Sequence, residues 1–386
     1  MRFHKNTFFL HKILIISILI IEILFISCKK KEINVKKEIL NNQEISYAKG
    51  FSIESYKNFS ILKISNPWPK ANKNYTYILR QKNAVIPDSL KSYVTIEIPV
   101  KRIVVTSTTH IPSLEMLEVA NTLVGFPHLD YISSEKVRAR IDAKQIIELG
   151  NNQDLDIEKI ISLSPDVIVA YGIDNNNPTI DNLEKSGQKV VFNGDWNEET
   201  PLGKAEWIKF FGALYNLNKK AKTIFDVIAK DYQKTKKMAA NAQPKPTVLA
   251  GAMYQDDWFM PKGESWGSLL LADANANYLW SKTKGTGSLN LSFETVLARA
   301  KTADFWFQGQ FSTLAEVEKA NSHYKQFDAV KNKKVYTFGS KKGKTGGLIY
   351  YELAPNRPDL VLKDMVKILH PELFPSYNLT FYEQLK

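Results

Sequence analysis

The stretch Leu155-Asp-Ile-Glu-Lys-Ile-Ile-Ser-Leu-Ser-Pro-Asp-Val-Ile-Val-Ala-Tyr171 decides the fold, because it predicts one helix followed directly by one strand. Asp156 is a favourable helix N-cap. Three isoleucines follow at the spacing of one helical face: Ile157, Ile160 and Ile161. Pro165 ends the helix, since the residue before a proline avoids the α region. The apolar run at residues 167–170 is typical of a strand buried on both faces of a parallel sheet.

A second stretch repeats this pattern later in the chain. Leu291-Ser-Phe-Glu-Thr-Val-Leu-Ala-Arg-Ala-Lys-Thr-Ala-Asp-Phe-Trp-Phe307 again has a polar cap, an amphipathic turn, a Glu, an Asp and an apolar strand. The Glu and the Asp are eight residues apart in the first copy and ten apart in the second. Two copies of one unit predict two similar lobes.

Strands and helices alternate on both sides of the chain centre, which predicts α/β lobes with parallel sheets. A helical period runs from Asn218 to about Asn241 and ends before Pro244. We therefore expect an α/β fold of two similar lobes with central parallel sheets, joined by a single long helix. The expected segments are a lipoprotein signal peptide (1–27), a flexible tether (28–50), an N-terminal lobe with a leading β-meander (51–215), the linking helix (216–243) and a C-terminal lobe (244–386).

The pattern L-x-x-E-x-I-x-x-L-x-P-D-V-I-V-A resembles the helix–strand unit of the cobalamin- and siderophore-type (class III) substrate-binding proteins of ABC importers. The resemblance covers roughly residues 100 to 370. It implies a binding protein, not an enzyme, that captures an iron-siderophore, haem or cobalamin and delivers it to a membrane permease. It also implies that Glu158 and Glu294 dock onto permease arginines. Arg357, in Asn356-Arg-Pro358, is a candidate for the acidic groups of the ligand.

The N-terminus resembles a lipoprotein signal. A positive segment and an apolar run end in Phe25-Ile-Ser-Cys28, where the cysteine would be lipidated. The alternative is an uncleaved anchor with an incidental cysteine. The lipoprotein is favoured because the only cysteine of the chain lies at the required place. We expect a monomer on the periplasmic side of the cell envelope, attached to the membrane through this lipid.

Aromatic residues at predicted strand ends form the expected ligand site. Ligands of parallel α/β sheets bind beyond the carboxyl ends of the strands. Six aromatic residues fall at or just past such ends, and four of them are the expected ligand contacts: Tyr131, Tyr171, Tyr254 and Trp258. Such residues would grip a large, flat, partly apolar metal chelate. The alternative reading is that strand-end aromatics only close the core.

Other classes of function find little support in the sequence. The formal charge is +12, but the basic residues are spread over the chain, so nucleic acid is not an expected partner, although anionic ligands or lipids would be favoured. A bare metal ion needs three or four converging ligands, which the few histidines do not indicate, so we expect neither metal site nor cofactor. The rivals are a two-lobed cell-envelope enzyme and a surface capture lipoprotein without a permease.

Overall fold

A computed structural model of the chain describes residues 41–42 and 44–386. Cys28, the predicted signal peptide and most of the predicted tether lie outside the described residues. The described part begins with a five-stranded sheet in the order β1-β2-β3-β4-β5. Its strands are β1 (Asn41–Asn42), β2 (Phe51–Ser55), β3 (Phe59–Ile64), β4 (Tyr75–Gln81) and β5 (Val94–Ile98). Strands β1 to β4 form antiparallel pairs, but β5 lies parallel to β4, so this sheet is not the simple meander that we predicted.

Two buried carboxylates hold the end of the predicted tether. The backbone N–H groups of residues 46–48 donate to the Glu206 carboxylate at 2.6 to 2.9 Å. Those of residues 49–50 donate to Glu198 at 2.7 to 3.1 Å. Residues 46–50 are therefore fixed to the folded body, and the prediction that the tether reaches residue 50 is wrong. The partners lie about 150 residues further along the chain, where a local pattern does not show them.

The first lobe contains a parallel sheet in the order β12-β11-β6-β7-β8. Its strands are β6 (Ile103–Val105), β7 (Leu123–Phe126), β8 (Ile147–Glu148), β11 (Val167–Ala170) and β12 (Val190–Phe192), with a small hairpin of β9 (Gly150–Asn151) and β10 (Asp154–Leu155). Its helices are α1 (His110–Met116), α2 (Glu135–Asp142), α3 (Ile157–Leu163) and α4 (Pro178–Lys185).

Three consecutive helices lead to the second lobe: α5 (Pro201–Glu206), α6 (Ile208–Leu214) and α7 (Asn218–Ala239). Helix α7 has 22 residues and is the long connection. Its apolar stripe includes Phe225, Ile228 and Tyr232, all of which are buried. Because one face of α7 is buried, its apolar residues recur with the period of a helix, and this is the pattern seen in the sequence.

The second lobe contains a sheet in the order β16-β13-β18-β19-β20, parallel except for the last strand. Its strands are β13 (Thr247–Ala250), β16 (Asn277–Tyr278), β18 (Phe305–Gln308), β19 (Val335–Thr337) and β20 (Glu383–Gln384), beside a small sheet of β14 (Ala252–Tyr254), β15 (Asp257–Pro261) and β17 (Ser288–Leu291). Its helices are α8 (Trp266–Asp273), α9 (Phe293–Ala300), α10 (Leu314–Ala320), α11 (Asp328–Lys331), α12 (Ile349–Leu353) and α13 (Pro358–Leu369).

The two repeated units have equivalent places in the two lobes. Asp156 caps α3 by accepting from the Lys159 N–H, and Ser292 caps α9 by accepting from the Thr295 N–H. Each helix is followed by a wholly buried strand, β11 or β18. The predicted α/β fold of two similar lobes joined by one long helix is confirmed.

An aspartate at the end of each unit ties it to the first strand of its lobe. The Asp166 carboxylate accepts from the backbone N–H groups of Lys101 and Arg102, directly before β6. The Asp304 carboxylate accepts from the backbone N–H of Thr247, the first residue of β13. Helix α9 is one residue longer than α3, and its link to the strand is also one residue longer. These two insertions account for the different Glu-to-Asp spacing.

One detail of the first unit differs from the prediction. Ile160 is buried, but Ile161 is 45% exposed. Successive helical residues are rotated by about 100°, so in a helix this short only one of two adjacent isoleucines faces the sheet.

Candidate ligand-binding site

A pocket of about 260 Å³ lies at the carboxyl edge of the first sheet, where β6 and β11 end; we call it the N-lobe pocket. Amide, hydroxyl and aromatic side chains line much of it, among them Thr106, Asn152, Tyr171, Asn176 and Asn177. The backbone N–H of Tyr171 donates to Thr106 Oγ1 at 3.2 Å. Burial raises the pKa of Tyr171, which keeps its phenol neutral. The wall is therefore almost uncharged, and it combines these polar groups with the aliphatic side chains of Leu155, Ile173 and Ile180.

A larger pocket of about 440 Å³ lies at the carboxyl edge of the second sheet, beyond β13, β18 and β19; we call it the C-lobe pocket. Aromatic residues dominate its wall: Tyr254, Phe259, Phe307, Phe338, Tyr350 and Tyr351. The Phe338 and Tyr350 rings are stacked with centroids 4.1 Å apart. This pair fixes the buried side of the pocket.

Two tyrosines of the C-lobe pocket expose their rings to the opening. Tyr254 is 67% exposed and Tyr351 is 58% exposed. Partial burial raises the pKa of Tyr351, so this phenol also stays neutral. Exposed aromatic rings beside an apolar pocket provide contact area for a flat, partly apolar ligand.

Charged side chains are almost absent from the two pocket walls, all of whose lining residues are described. Asp174 in the N-lobe pocket is the only ionisable carboxylate, and neither wall contains a lysine, an arginine or a histidine. The Asp174 carboxylate accepts from the Asn176 backbone N–H at 2.8 Å. The pocket walls therefore lack the excess positive charge that the whole chain carries.

The predicted ligand residues divide into two groups in the structure. Tyr171 lines the N-lobe pocket and Tyr254 lines the C-lobe pocket. Tyr131 is 60% exposed, but it lines neither pocket and its ring lies beside His128, with centroids 5.1 Å apart. Tyr131 lies just before Ser133 and Ser134, through which the first lobe contacts the second.

Trp258 does not line the site, and this prediction is wrong. Its side chain is 0% exposed, and its Nε1 donates to the Ala250 carbonyl at 3.0 Å. The ring packs against Trp306 and Phe327 inside the second lobe, with centroids 5.3 and 5.7 Å apart. Side chains alternate along a strand, so Trp258 faces the core while its neighbour Phe259 reaches the pocket.

Arg357 is also placed elsewhere. Its guanidinium makes a bidentate pair with the Asp359 carboxylate, at 2.9 and 2.7 Å. It lines a separate cavity with Asp231 and Lys234 of helix α7, not either strand-end pocket. Arg357 therefore lies away from both strand-end pockets, with two of its five N–H donors committed to Asp359, and the structure does not support its predicted contact with ligand acidic groups.

The lobes contact each other through the segment between β19 and α13. The Glu352 carboxylate on α12 accepts from the Ser133 and Ser134 backbone N–H groups, at 2.6 and 3.0 Å, at the N-terminus of α2. Asn356 donates to the Thr109 carbonyl and accepts from the Ser113 hydroxyl. Burial, reinforced by Glu115, raises the pKa of Glu352 to about 7. This contact therefore contains a titratable group.

A buried polar group lies on the interlobe side of the first lobe. Lys204 Nζ donates to the Asp195 and Trp196 carbonyls, at 3.1 and 2.7 Å, and lies 5.6 Å from the ring centroid of Trp266 in the second lobe. Burial lowers the pKa of Lys204 to about 8, although the nearby charge of Asp195 acts to raise it. The Lys204 amine is thus committed to backbone carbonyls.

His110 in α1 is also buried. Burial lowers its pKa to about 4, so His110 is neutral at pH 7.

Glu158 and Glu294 have the equivalence that the repeat predicts. Each is exposed and is the second residue of its helix, α3 or α9. Each helix runs antiparallel to the strand that follows it, so both glutamates lie toward the carboxyl edge of their own sheet. Their docking role stays a prediction.

Several pocket residues were not predicted from the sequence. Asn152, Asn176 and Asn177 lie in connecting segments, and Phe338 and Tyr351 follow β19 or lie in α12. The adjacent Tyr350 and Tyr351, which lie in α12, were the visible signal among the unpredicted pocket residues. The asparagines gave no signal, since Asn is also the usual residue of turns.

Within residues 41–42 and 44–386, no group of three or more His, Cys, Asp or Glu side chains is arranged to hold a metal ion. None of the helices in the same part of the chain is long and apolar enough to cross a membrane.

Comparison with known proteins decides the family. Residues 103–341, more than half of the chain, match the family described as periplasmic binding protein. The chain belongs to this family. The family is one of solute-binding transport proteins rather than of enzymes. The five-stranded N-terminal sheet of this periplasmic binding protein precedes the matched residues.

Three similar proteins give this periplasmic binding protein its context. An uncharacterised lipoprotein of Methanocaldococcus jannaschii is 27% identical over 92% of this chain and 91% of its own. A possible iron-binding (periplasmic solute-binding) protein of Staphylococcus epidermidis matches 70% of this chain and 99% of its own, with a TM-score of 0.55 and 18% identity. A periplasmic heme-binding protein of Pseudomonas aeruginosa matches 74% of this chain and 98% of its own, with a TM-score of 0.54 and 18% identity. The two solved structures support the fold.

Proposed function

We propose that this protein is a lipid-anchored substrate-binding protein that captures a bulky metal chelate and delivers it to an ABC permease. The chelate is an iron-siderophore, haem or cobalamin. The observation that carries this proposal is the pair of pockets at the carboxyl edges of the two sheets, one lined by amide, hydroxyl and aliphatic side chains and the other mainly by aromatic ones. Together they offer surface to a ligand with both an apolar ring system and a hydrogen-bonding periphery.

The comparisons support the ligand class by analogy. The S. epidermidis protein is described as possibly iron-binding and the P. aeruginosa protein as heme-binding. The lipoprotein name of the M. jannaschii relative supports lipidation at Cys28. The proposed permease contact would use Glu158 and Glu294.

The test is a direct search for the ligand. The full-length chain is purified in detergent, and co-purifying small molecules are identified by mass spectrometry. In parallel, haemin, cyanocobalamin and a neutral ferric trihydroxamate are titrated while tryptophan fluorescence is followed. We expect at least one of them to bind and quench, because Trp196 is partly exposed near the N-lobe pocket and donates to the Gly172 carbonyl.

Matched variants distinguish the site from adventitious binding. The double variant Tyr171→Ala/Tyr351→Ala should weaken binding at least tenfold, since stacked aromatic contacts contribute about 0.5–1.5 kcal/mol each beyond their buried area. Tyr93→Ala is the control, because Tyr93 is also an exposed tyrosine but precedes β5 in the N-terminal sheet. Equal binding by all three proteins, or no binding and no co-purifying molecule, would contradict the proposal.

A further inference from the structure

The first inference concerns the charge of the ligand. The basic composition of the chain favours anionic ligands at long range, but contact energies depend on the groups that line the pockets. Neither pocket wall contains a lysine, an arginine or a histidine, and the one ionisable carboxylate is Asp174. Arg357, the one arginine predicted for this role, is paired with Asp359.

An anionic group that entered such a pocket would lose water without gaining a cationic partner. Burying an unpaired charge costs far more than burying a hydrogen-bonded amide or hydroxyl. The N-lobe pocket instead offers amides and hydroxyls, from Asn152, Asn177 and Thr106, which match uncharged polar groups. Tyr171 and Tyr351 also stay neutral, because burial raises the pKa of each phenol.

We propose that the ligand surface entering the two pockets is uncharged, so that the protein selects chelates with an amide- or hydroxamate-bearing periphery over those with free carboxylates or catecholates. This inference rests on the proposed function and narrows its ligand class. It favours a corrinoid or a neutral ferric hydroxamate over haem with free propionates.

Matched pairs of probes test this selection. Cyanocobalamin is compared with the derivative in which one peripheral amide is hydrolysed to a carboxylate, and haemin dimethyl ester is compared with haemin. We expect the uncharged member of a pair that binds to bind at least tenfold more tightly. Asp174→Asn should strengthen binding of the acid member only. Asp181→Asn is the control, because Asp181 is exposed on α4 but does not line the pocket.

Each outcome has a definite meaning. Equal affinity within both pairs, or tighter binding of the acids, would overturn the charge selection while leaving capture of a chelate intact. Binding of neither member of either pair, together with failure of the ferric trihydroxamate, would remove the ligand class and this inference with it.

A second inference comes from the turn between β3 and β4, residues 65–74, which lies outside the part of the chain that matches the family. Trp68 is buried, and its Nε1 donates to Asn175 Oδ1 at 3.0 Å. The same oxygen accepts from the Asn72 backbone N–H, and Asn175 Nδ2 donates to the Lys70 carbonyl. Asn175 is thus held at three points by a turn from another sheet.

Asn175 belongs to the segment that forms the N-lobe pocket wall after β11. Tyr171, Ile173, Asp174 and Asn176 on either side of it all line that pocket. Gly172 fits against the Trp68 ring so closely that an added Cβ would lie 2.5 Å from Cζ3. The turn therefore fixes the segment by both hydrogen bonds and steric contact.

We infer that Trp68 is a positioning residue that holds the wall of the N-lobe pocket from outside it. The N-terminal sheet is then part of the ligand site without touching the ligand. A purely structural tryptophan would affect global stability, whereas a positioning residue also controls the local order of residues 171–177.

Hydrogen exchange in the ligand-free full-length protein tests this without knowledge of the ligand. Trp68→Phe keeps an aromatic ring but removes the N–H donor, and Asn175→Ala removes its acceptor. Both variants should accelerate exchange of the amides at 172–177 at least fivefold and weaken binding of whichever probe binds the unaltered protein. Gly172→Ala should have the same local effect through steric displacement of Trp68.

Trp207→Phe is the matched control. Trp207 is also buried, packs against Phe51 of the N-terminal sheet with centroids 4.6 Å apart, and donates its Nε1 to Glu198. It lines neither pocket. We expect this variant to lower stability without selective acceleration at 172–177. Identical exchange in the Trp68→Phe and unaltered proteins, or equal acceleration by Trp207→Phe, would overturn the positioning role, whether or not a ligand has been found.

Discussion

The two pocket walls are built on the same framework but are held in different ways. Each follows a parallel sheet that contains one copy of the helix–strand unit, α3 with β11 or α9 with β18. The N-lobe wall mixes amide and hydroxyl groups with aliphatic side chains, and a turn from a separate sheet supports its segment at residues 171–177 through Trp68 and Asn175. The C-lobe wall is aromatic and is continuous with its own core, through the Phe338–Tyr350 stack. The two copies of the repeat share a framework, while most of the side chains that make the two pockets different come from segments outside it.

The largest expected effect is on the core that supports the C-lobe wall. Trp258→Ala should reduce the free energy of unfolding by about 3–5 kcal/mol, the usual cost of removing a fully buried large aromatic side chain. Phe259→Ala, on the opposite face of the same strand, should cost less than about 1.5 kcal/mol, since Phe259 is partly exposed. Urea denaturation measures both. Similar costs for the two variants would mean that Trp258 is not the internal support of this wall.

The contact between the two lobes should respond to pH through Glu352. Its pKa is raised from 4.5 to about 7, so between these values the folded state holds a proton that the unfolded chain releases. Stability from this group is thus present at low pH and is lost as pH rises toward 7. The effect is at most about 3 kcal/mol, at about 1.4 kcal/mol for each unit of pKa.

A comparison with Glu352→Gln isolates this contribution, because other groups titrate in the same range. His110, whose pKa is lowered to about 4, acts in the opposite direction, since stability that depends on its neutral form is lost as pH falls below 6.5. Denaturation midpoints of both proteins are measured from pH 5 to pH 8. We expect the stability of the unaltered protein relative to the variant to decrease as pH rises. A constant difference would show that Glu352 does not titrate at the lobe contact.

The part of this structure that was predictable is the part that depends on near neighbours. The Asp156 N-cap and the buried strand β11 follow from residues within one turn or one strand. Thr200, directly before Pro201, caps α5 in the same local way by accepting from the Gly203 N–H. These local preferences agree with the final fold, as expected for sequences that fold to one state.

Two kinds of feature were not predictable: the direction in which a strand side chain points, and the contacts between residues far apart in the chain. Trp258 and Phe259 are adjacent at one strand end, and only the sheet decides which of them points inward. The Trp68–Asn175 bond joins residues 107 positions apart, and the Ser46–Glu206 bond joins residues 160 apart. A hydrophobic period along the sequence does not reveal such long-range pairs. The support of the N-lobe wall and the end of the tether therefore became visible only in the structure.

The contribution of each wall to binding can be compared with single tyrosine variants. Tyr351→Ala should weaken binding of haemin dimethyl ester or cyanocobalamin by about 5- to 20-fold, because it removes an exposed ring beside an aromatic wall. Tyr171→Ala should have a smaller effect, since the N-lobe wall keeps its amide and hydroxyl groups. Titration calorimetry measures both affinities, and Tyr351→Phe should retain most of the affinity. A larger loss for Tyr171→Ala would reverse the assignment of the aromatic wall as the main contact.

The smallest effect on the isolated protein is expected at Glu158 and Glu294, which occupy equivalent positions in the two copies of the helix–strand unit. Both are exposed in the first turn of their helices, so replacing either with Gln should change stability by no more than about 0.5 kcal/mol and should leave probe binding unchanged. A role in permease docking predicts a separate loss. The double variant should associate more slowly with the permease in nanodiscs at low salt, and high salt should reduce the difference, because charges at an interface rim act mainly on the association rate. Glu135→Gln is the matched control, since Glu135 is an exposed acidic residue in the first turn of α2 but is not part of the repeat. Unchanged docking kinetics in the double variant, or an equal loss in Glu135→Gln, would restrict the repeat to a structural role and leave the two lobes without a shared function.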